Sequence, residues 1–183
     1  MTHTEKQGFV VFFTGLSGSG KTTLSKKLVE TLKDQNRKVT LLDGDEVRQH
    51  LSSELGFSSE HRKINILRLG FIASEIAKHA GITICAAISP YQETREKVRQ
   101  MVEKNGRFIE VYLSTPLNVC EKRDVKGLYK KARKTEIKQF TGIDAPYEPP
   151  INPDLILDTT QLSIEHCIDK ILMVLIKNHC AII

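Results

Sequence analysis

A chain of 183 residues with 40% hydrophobic and 27% charged side chains has the composition of a globular protein and the length of a single domain, residues 1–183. Its formal net charge is +5. The longest apolar runs, such as residues 82–88, are too short to cross a bilayer, and residues 1–8 lack the architecture of a signal peptide. The sequence therefore excludes a membrane-spanning protein and gives no sign of export.

The cysteines are widely spaced and show no C-x-x-C pattern, so they indicate reduced thiols of a cytoplasmic protein rather than a disulfide framework or a zinc site. They are Cys85, Cys120, Cys167 and Cys180. The last four residues, CAII, match the C-a-a-X pattern of prenylation. Because no polybasic stretch or second lipid site accompanies them, we favour an apolar final helix that happens to have a cysteine near its end.

Short apolar runs with strand character alternate with longer amphipathic segments. The predicted strands are residues 9–15, 38–45, 82–89, 107–115 and 154–160. The predicted helices run from Lys21 to about Asp34, across residues 60–80, over a charged segment after the third strand, and from Ser163 to about Lys177. In that charged segment the side chains predicted to be exposed are Glu93, Arg95, Lys97 and Arg99. This order predicts an α/β fold in which a parallel sheet carries helices on both faces and binds ligands at the carboxyl ends of its strands.

The first predicted strand leads directly into GLSGSGKT, residues 15–22, which fits the phosphate-binding pattern G-x-x-x-x-G-K-[ST]. In this pattern the glycines let backbone N–H groups face phosphate oxygens, the lysine reaches the β- and γ-phosphates, and the hydroxyl ligates Mg²⁺. The alternative is a glycine-rich turn that has this spelling by chance. The strand before the motif and the helix after it favour phosphate binding and a fold of the P-loop NTPase type, and the motif is the predicted ATP site. Its predicted residues are Gly15, Leu16, Ser17, Gly18, Ser19, Gly20, Lys21, Thr22 and Thr23.

The sequence DGDEVR follows the second predicted strand at residues 43–48, and no guanine-reading N-K-x-D tetrapeptide is found in the chain. Two carboxylates beside a P-loop suit a metal ligand and a base that accepts a hydroxyl proton. In an alternative interpretation, Asp43 only caps the next helix. Arg48 on the following turn favours a functional pair, and a kinase over a switch GTPase.

A basic block lies at residues 122–138, where eight Lys or Arg face only Asp124 and Glu136. This surplus exceeds that of the whole chain. Such a block is compatible with nucleic acid, a membrane surface, a phosphate-rich small ligand or a solvated helix face. The proline-bearing segment 141–153 that follows is predicted to be a loop within the domain.

These motifs together resemble the adenylyl-sulfate kinase (APS kinase) family over about residues 8–160. The matching segments are GLSGSGKTT, LDGDEVR, LGFS, HRKINI, ISPY, FIEVYL, VCEKRDVKGLYKKAR and FTGIDAPYE. The resemblance implies an enzyme that uses MgATP to phosphorylate the 3′-hydroxyl of adenosine 5′-phosphosulfate (APS). It also implies Mg²⁺ as cofactor, a homodimer, and a functional link to ATP sulfurylase, whose domain this monofunctional chain does not carry.

The resemblance also assigns roles to residues. Asp45 becomes the candidate base, Lys21 a catalytic cation, and Thr22 with Asp43 the Mg²⁺ ligands. The implied substrate contacts are Asp43, Asp45, Arg48, Phe57, Arg62, Asn65, Ile88, Ser89, Lys126 and Phe140. The two phenylalanines would stack on opposite faces of the substrate adenine, with core packing as the alternative. Ser89 is a candidate phosphoserine intermediate, although physical reasoning favours direct transfer with Ser89 as a positioning group.

The chain departs from the family pattern at His61 and Leu67, where an aspartate and an arginine are usual, while Arg62, Asn65 and Arg68 remain. These departures concern local salt bridging. With this resemblance, the basic block is best interpreted as part of a lid over about residues 122–146 that closes on nucleotide charges, rather than as a nucleic-acid or membrane surface.

Two other functions stay open. One is a kinase of a different small hydroxyl compound, such as a nucleoside or a sugar acid, against which Phe57, Arg62 and Phe140 argue. The other is a catalytically silent nucleotide-binding module, which loss of Lys21 or Asp45 would favour and which the presence of both argues against.

Overall fold

A computed structural model describes residues 7–180 of the chain. Five strands lie in this part of the chain: β1 (Phe9–Gly15), β2 (Val39–Asp43), β3 (Ile82–Ala86), β4 (Arg107–Leu113) and β5 (Leu155–Leu157). The helices of the same residues are α1 (Lys21–Asp34), α2 (Gly44–Leu51), α3 (Ser59–Lys78), α4 (Gln92–Glu103), α5 (Leu117–Arg123), α6 (Leu128–Arg133) and α7 (Ile164–Lys177).

All five strands are parallel and pair in the order β2-β3-β1-β4-β5. The predicted parallel α/β sheet is therefore confirmed. β1 lies at the centre, where every one of its residues is buried. Because the strands run in one direction, their carboxyl ends meet at a single edge of the sheet, and the polar motifs that follow β1, β2 and β3 are brought to that edge.

The core consists of two layers, one on each face of the sheet. Alternate residues of β1 enter each layer: Phe9, Val11 and Phe13 pack with α1 and α7, and Val10 and Phe12 pack with α3 and α4. This alternation explains why residues 9–13 of β1 are all apolar, since a strand covered on both faces exposes neither set of side chains. The resulting rigid sheet holds the strand ends in place.

Four of the predicted strands are longer than the observed ones, and the one predicted at 107–115 ends at Leu113. The predicted strand 38–45 ends at Asp43, because the Asp43 carboxylate accepts a hydrogen bond from the backbone N–H of Asp45 and so starts α2. The predicted strand 82–89 ends at Ala86, and 154–160 shortens to Leu155–Leu157, after which Asp158 accepts from the backbone N–H of Thr160. The short helices α2, α5 and α6 were not predicted, because one or two turns give too little periodic signal.

A third, smaller cluster lies outside the two main layers and belongs to the proposed lid. Its buried members are Cys120, Tyr129, Ala132 and Phe140, and Leu16 of the P-loop packs against them. The basic segment is therefore amphipathic: its charged residues face outward, and a few apolar side chains fix it to the body of the domain.

No helix within residues 7–180 is long and apolar enough to cross a bilayer. The four cysteines are buried and carry free thiols. Cys180, the cysteine of the C-a-a-X pattern, is 3% exposed, and the three residues that complete the pattern lie outside the described part of the chain.

Candidate active site

The P-loop forms where the predicted glycines allow it. Gly15, Gly18 and Gly20 all have positive φ, of 148°, 75° and 104° respectively. A side chain at Gly20 is disfavoured for two reasons. The left-handed backbone disfavours a Cβ atom, and that atom would lie only 3.3 Å from the Thr159 Cγ2. Gly20 directly precedes α1, so the loop ends at a helix N-terminus, where phosphate oxygens are stabilised.

Lys21 is the first residue of α1, and its side chain folds back over the P-loop. Its Nζ donates hydrogen bonds to the backbone carbonyls of Gly15 at 2.9 Å and Leu16 at 2.7 Å. Burial lowers the pKa of the Lys21 ammonium to about 8. The ammonium is thus held beside the loop in surroundings that disfavour its charge, and the arrival of phosphate oxygens would supply the missing counter-charge.

Both interpretations of Asp43 have a counterpart in its contacts. One carboxylate oxygen caps α2 through the Asp45 N–H at 2.9 Å, and the other accepts from the Thr22 hydroxyl at 3.5 Å. A hydroxyl beside a carboxylate is the hard oxygen donor set that suits Mg²⁺, which takes its remaining ligands from phosphate oxygens and water. The residues present therefore fit the metal that the family implies.

Asp45 forms an ion pair with Lys126 of the basic segment, across 81 positions of the sequence. The side chains of both are more than half exposed, and the pair spans the gap between the DGD turn and the proposed lid. The hydrogen bond to Asp45 raises the pKa of the Lys126 ammonium. The contact places one lid cation and one candidate base at the same point of the site.

Several residues predicted to contact the acceptor lie around the ring of Phe57, which is 62% exposed and is therefore not a core residue. The Arg48 guanidinium lies over this ring, 4.8 Å from its centroid, and donates to the Gly56 carbonyl at 2.7 Å. Arg62 donates to the Phe57 carbonyl at 2.8 Å and to the Thr141 hydroxyl. Two partly buried arginines thus lie beside one exposed aromatic ring.

Asn65 and Ser89 lie deeper, at 4% and 1% exposure. Within the described residues, the Asn65 Oδ1 and the Ser89 Oγ have no hydrogen-bond partner. Ser89 also has a left-handed backbone, with φ of 44°, which is unfavourable for a residue other than glycine. The neighbouring Ile88 carbonyl accepts from the Thr14 hydroxyl at 2.7 Å, so this segment is joined to the end of β1.

Phe140 is 8% exposed, and its ring packs edge-on against Tyr129 with centroids 4.9 Å apart. This contact is the core packing that the sequence left as the alternative to stacking on adenine. Stacking on a base requires the ring to turn away from Tyr129, so that role for Phe140 stays a prediction.

The two departures from the family pattern have local explanations. The His61 Nδ1 accepts a hydrogen bond from the Gly56 N–H at 2.9 Å and so supports the loop that presents Phe57. Leu67 packs, partly buried, against the core layer of α3 and α4. Arg68 pairs with Glu54 at 2.6 Å. Arg62 and Arg68 therefore keep hydrogen-bond or ion-pair partners although His61 and Leu67 depart from the family pattern.

Several side chains that contact the P-loop could not be identified from the sequence. The Tyr129 hydroxyl donates to the Ser17 carbonyl at 2.9 Å, and Arg123 donates to the Gly18 carbonyl at 3.2 Å. Thr115 and Thr159 both donate to the Ser19 carbonyl at 3.1 Å. Their partners lie about a hundred or more positions away, so no spacing rule could have connected them. Arg123 and Tyr129 do fall within RDVKGLYKKAR, and that segment was the available signal.

A phosphate-binding loop with a buried lysine, set beside paired aspartates at the edge of a parallel sheet, defines the class of P-loop kinases. A sequence profile of the adenylylsulphate kinase family matches residues 7–158. The adenylyl-sulfate kinase of Synechococcus sp. (strain JA-3-3Ab) is 52% identical over 167 residues, which cover 91% of this chain and 93% of that protein.

Solved structures agree. The Mycobacterium tuberculosis APS kinase in complex with AMPPNP and APS superposes with a TM-score of 0.89 at 41% identity, covering 92% of this chain and 98% of that one. A hexameric APS kinase from Thiobacillus denitrificans is 45% identical with a TM-score of 0.74, covering 96% of this chain and 30% of that one. The chain belongs to the adenylyl-sulfate kinase family, a family of ATP-dependent kinases.

The lowered pKa of Lys21 predicts a pH dependence of nucleotide binding. Below about 8 the ammonium is charged, and as the pH rises through that value the unliganded protein loses the cation that binds phosphate. We expect the Kd of a non-hydrolysable ATP analogue, measured by calorimetry, to rise from about pH 8 upward by at most about tenfold per pH unit. The last phosphate ionisation of the nucleotide, at about pH 6, is already complete in this pH range.

Lys21→Arg is the matched control, because a guanidinium keeps its charge over this range, and its Kd is expected to be flat. A wild-type Kd that stays constant up to about pH 9.5 would show that the ammonium is fully charged in the unliganded protein, contrary to this account.

Proposed function

We propose that this site transfers the γ-phosphoryl group of MgATP to the 3′-hydroxyl of APS, with Asp45 as the base and residues 122–146 as the lid. The observation that carries the proposal is the Asp45–Lys126 pair, which joins the candidate base to the basic segment beside the P-loop. A base must lie where the acceptor hydroxyl meets the γ-phosphate, and a lid cation must reach the same point.

The nucleotide half of the site is the P-loop. Its N–H groups and the start of α1 bind the phosphates, Lys21 turns from the Gly15 and Leu16 carbonyls to the β- and γ-phosphates, and Thr22 with Asp43 would hold the metal. When bound, Mg²⁺ neutralises charge on the phosphate oxygens. The remaining ATP contacts are those predicted from Gly15 to Thr23.

The acceptor half is the surface of Phe57, Arg48 and Arg62. A purine ring stacked on the exposed Phe57 face would gain about 1–3 kcal/mol, and the two guanidiniums suit the phosphosulfate anion. Asn65 and Ser89 offer buried polar atoms that are free of protein partners among residues 7–180 and available to the acceptor. Ile88 and Phe140 complete the proposed contacts, the latter after its ring leaves Tyr129.

In the transfer step, the 3′-oxygen attacks the γ-phosphorus, the bond from that phosphorus to the β–γ bridging oxygen breaks, and ADP leaves. Asp45 accepts the proton that the 3′-hydroxyl loses. For this, Lys126 has to leave the Asp45 carboxylate, and its natural new partner is the charge on the transferring group. The ion pair of the unliganded site is thus replaced by two substrate contacts.

Four further expectations belong to this proposal. We expect a homodimer, a functional link to ATP sulfurylase as the enzyme that makes APS, and a cytoplasmic location in which the buried thiols stay reduced. We expect no nucleic-acid or membrane partner, because the charged residues of the lid are assigned to small-molecule phosphates.

The acceptor is tested by ADP release from MgATP by the purified protein. Release should be fast with APS and slow with ATP alone, because only APS offers both an adenine for Phe57 and an anion for the arginines. Gluconate, shikimate and free nucleosides are the control acceptors. Equal stimulation by any of them would assign the protein to another small-molecule kinase, and no stimulation by any acceptor would favour a silent nucleotide-binding module.

The roles of Asp45 and Ser89 are separated by two variants that each remove one polar function. Asp45→Asn removes the base, so its turnover should fall at least about tenfold further than that of Ser89→Ala, a difference of about 1.4 kcal/mol in the barrier. Steady-state turnover measures this, together with a search for labelled phosphoserine after incubation with labelled ATP alone. A Ser89→Ala protein as inactive as Asp45→Asn, with a labelled serine that chases into product, would establish a covalent two-step transfer instead.

A further inference from the structure

Arg95 lies on α4 and was predicted to be exposed, but its side chain is only 1% exposed. Its guanidinium contacts four groups on four different segments. It pairs with Glu110 of β4 at 3.0 Å and donates to the Ser89 carbonyl, the Gln92 side chain and the Glu148 carbonyl, each at 2.7 Å. A buried cation with this many partners fixes their relative positions, because its planar fork admits few arrangements.

Charge balance explains why an arginine can be buried here. Glu110 is also buried and lies 3.6 Å from Arg99, which pairs in turn with Asp154 at 2.8 Å. The buried Glu110 carboxylate thus has both arginines as counter-charges, and Arg99 is shared with Asp154 and Glu103. The two arginines differ in their other contacts. Arg99 contacts Glu103, Asp154 and Phe108 besides Glu110. Arg95 contacts the Ser89 and Glu148 carbonyls of the site besides Glu110.

The segment that Arg95 holds is strained and needs support. Ser89 has φ of 44°, a conformation that is unfavourable for such a residue and persists only where the surroundings fix it. Its carbonyl receives the Arg95 hydrogen bond, and the Thr14 hydroxyl beside it bonds the Ile88 carbonyl and the Tyr147 hydroxyl. Arg95 and Thr14 thus join the Ser89 turn, the segment 147–148 and the end of β1.

We propose that Arg95 is a positioning residue for the acceptor substrate: through its hydrogen bonds to the Ser89 and Glu148 carbonyls it holds the Ser89 turn in the geometry that binds the acceptor. It acts through Ser89 and does not itself touch the substrate. The inference rests on the proposed function, in which Ser89 lies on the acceptor side. It adds a determinant of acceptor affinity that is separate from the P-loop.

The test compares two conservative variants of the same charge cluster. Arg95→Lys keeps the charge opposite Glu110 but has a single nitrogen, which cannot reach Glu110, Ser89 and Glu148 together. We expect its KM for APS to rise about tenfold, the loss typical of a hydrogen bond to a charged group, with the KM for ATP unchanged within about twofold. Arg99→Lys perturbs the same Glu110 without contacting the site, and both of its KM values should match those of the wild type.

A purely structural ion pair would give a different pattern. Both variants would then lose thermal stability, and either neither KM would change or the two KM values would change together. Either result overturns the proposal, as does an Arg99→Lys protein that matches Arg95→Lys in its KM for APS. Wild-type ADP release in the same assay reports on the proposed function independently, because the inference is judged only by the ratio of variant to wild-type KM.

If Arg95→Lys does not fold, the double variant Arg95→Met/Glu110→Leu takes its place. Replacing a buried ion pair by apolar side chains of similar volume is often neutral for stability, so this variant removes the hydrogen bonds without leaving an unpaired buried charge. The same selective rise in the KM for APS is expected. A double variant with wild-type KM for APS would overturn the proposal.

Discussion

The site depends on how the carbonyl groups of the P-loop are held. Every carbonyl from residue 15 to residue 19 accepts a hydrogen bond from a side chain. The donors, in order, are Lys21 for both Gly15 and Leu16, Tyr129 for Ser17, Arg123 for Gly18, and Thr115 with Thr159 for Ser19. Because the C=O and N–H of a trans peptide point in opposite directions, a carbonyl held on the protein side turns the N–H of its own peptide towards the phosphate oxygens. The bonds to the Ser17, Gly18 and Ser19 carbonyls remain when Lys21 leaves its two carbonyls for the phosphates.

These hydrogen-bond donors come from distant parts of the chain. Lys21 comes from the helix that follows the loop, but Arg123 and Tyr129 belong to the proposed lid, and Thr159 follows β5 at the edge of the sheet. The buried contact of Tyr129 with Phe140 extends the connection further along the lid. The P-loop and the proposed lid are therefore held to each other by the Arg123 and Tyr129 hydrogen bonds.

The sequence predicts the nucleotide half of the fold well. β1 and α1 are found at their predicted residues, because an apolar run, a glycine motif and a periodic helix agree on the same boundaries. Arg95 shows where such reasoning stops. Its place among charged neighbours predicted exposure, but burial was decided by Glu110, which lies on the next strand and is itself unusual for a buried position. The P-loop clamps from Thr115, Tyr129 and Thr159 were missed for the same reason, since tertiary pairing sets them.

The most direct test of the central claim is the affinity of Tyr129→Phe for a non-hydrolysable ATP analogue, measured by calorimetry. The variant removes one hydroxyl donor to the Ser17 carbonyl and keeps the ring against Phe140. If the lid clamps the P-loop, the Kd should rise about five- to tenfold, as expected for one lost hydrogen bond of about 1 kcal/mol. A Kd equal to that of the wild type, in a protein of unchanged thermal stability, would show that the P-loop keeps its geometry without the Tyr129 hydrogen bond and would contradict the account.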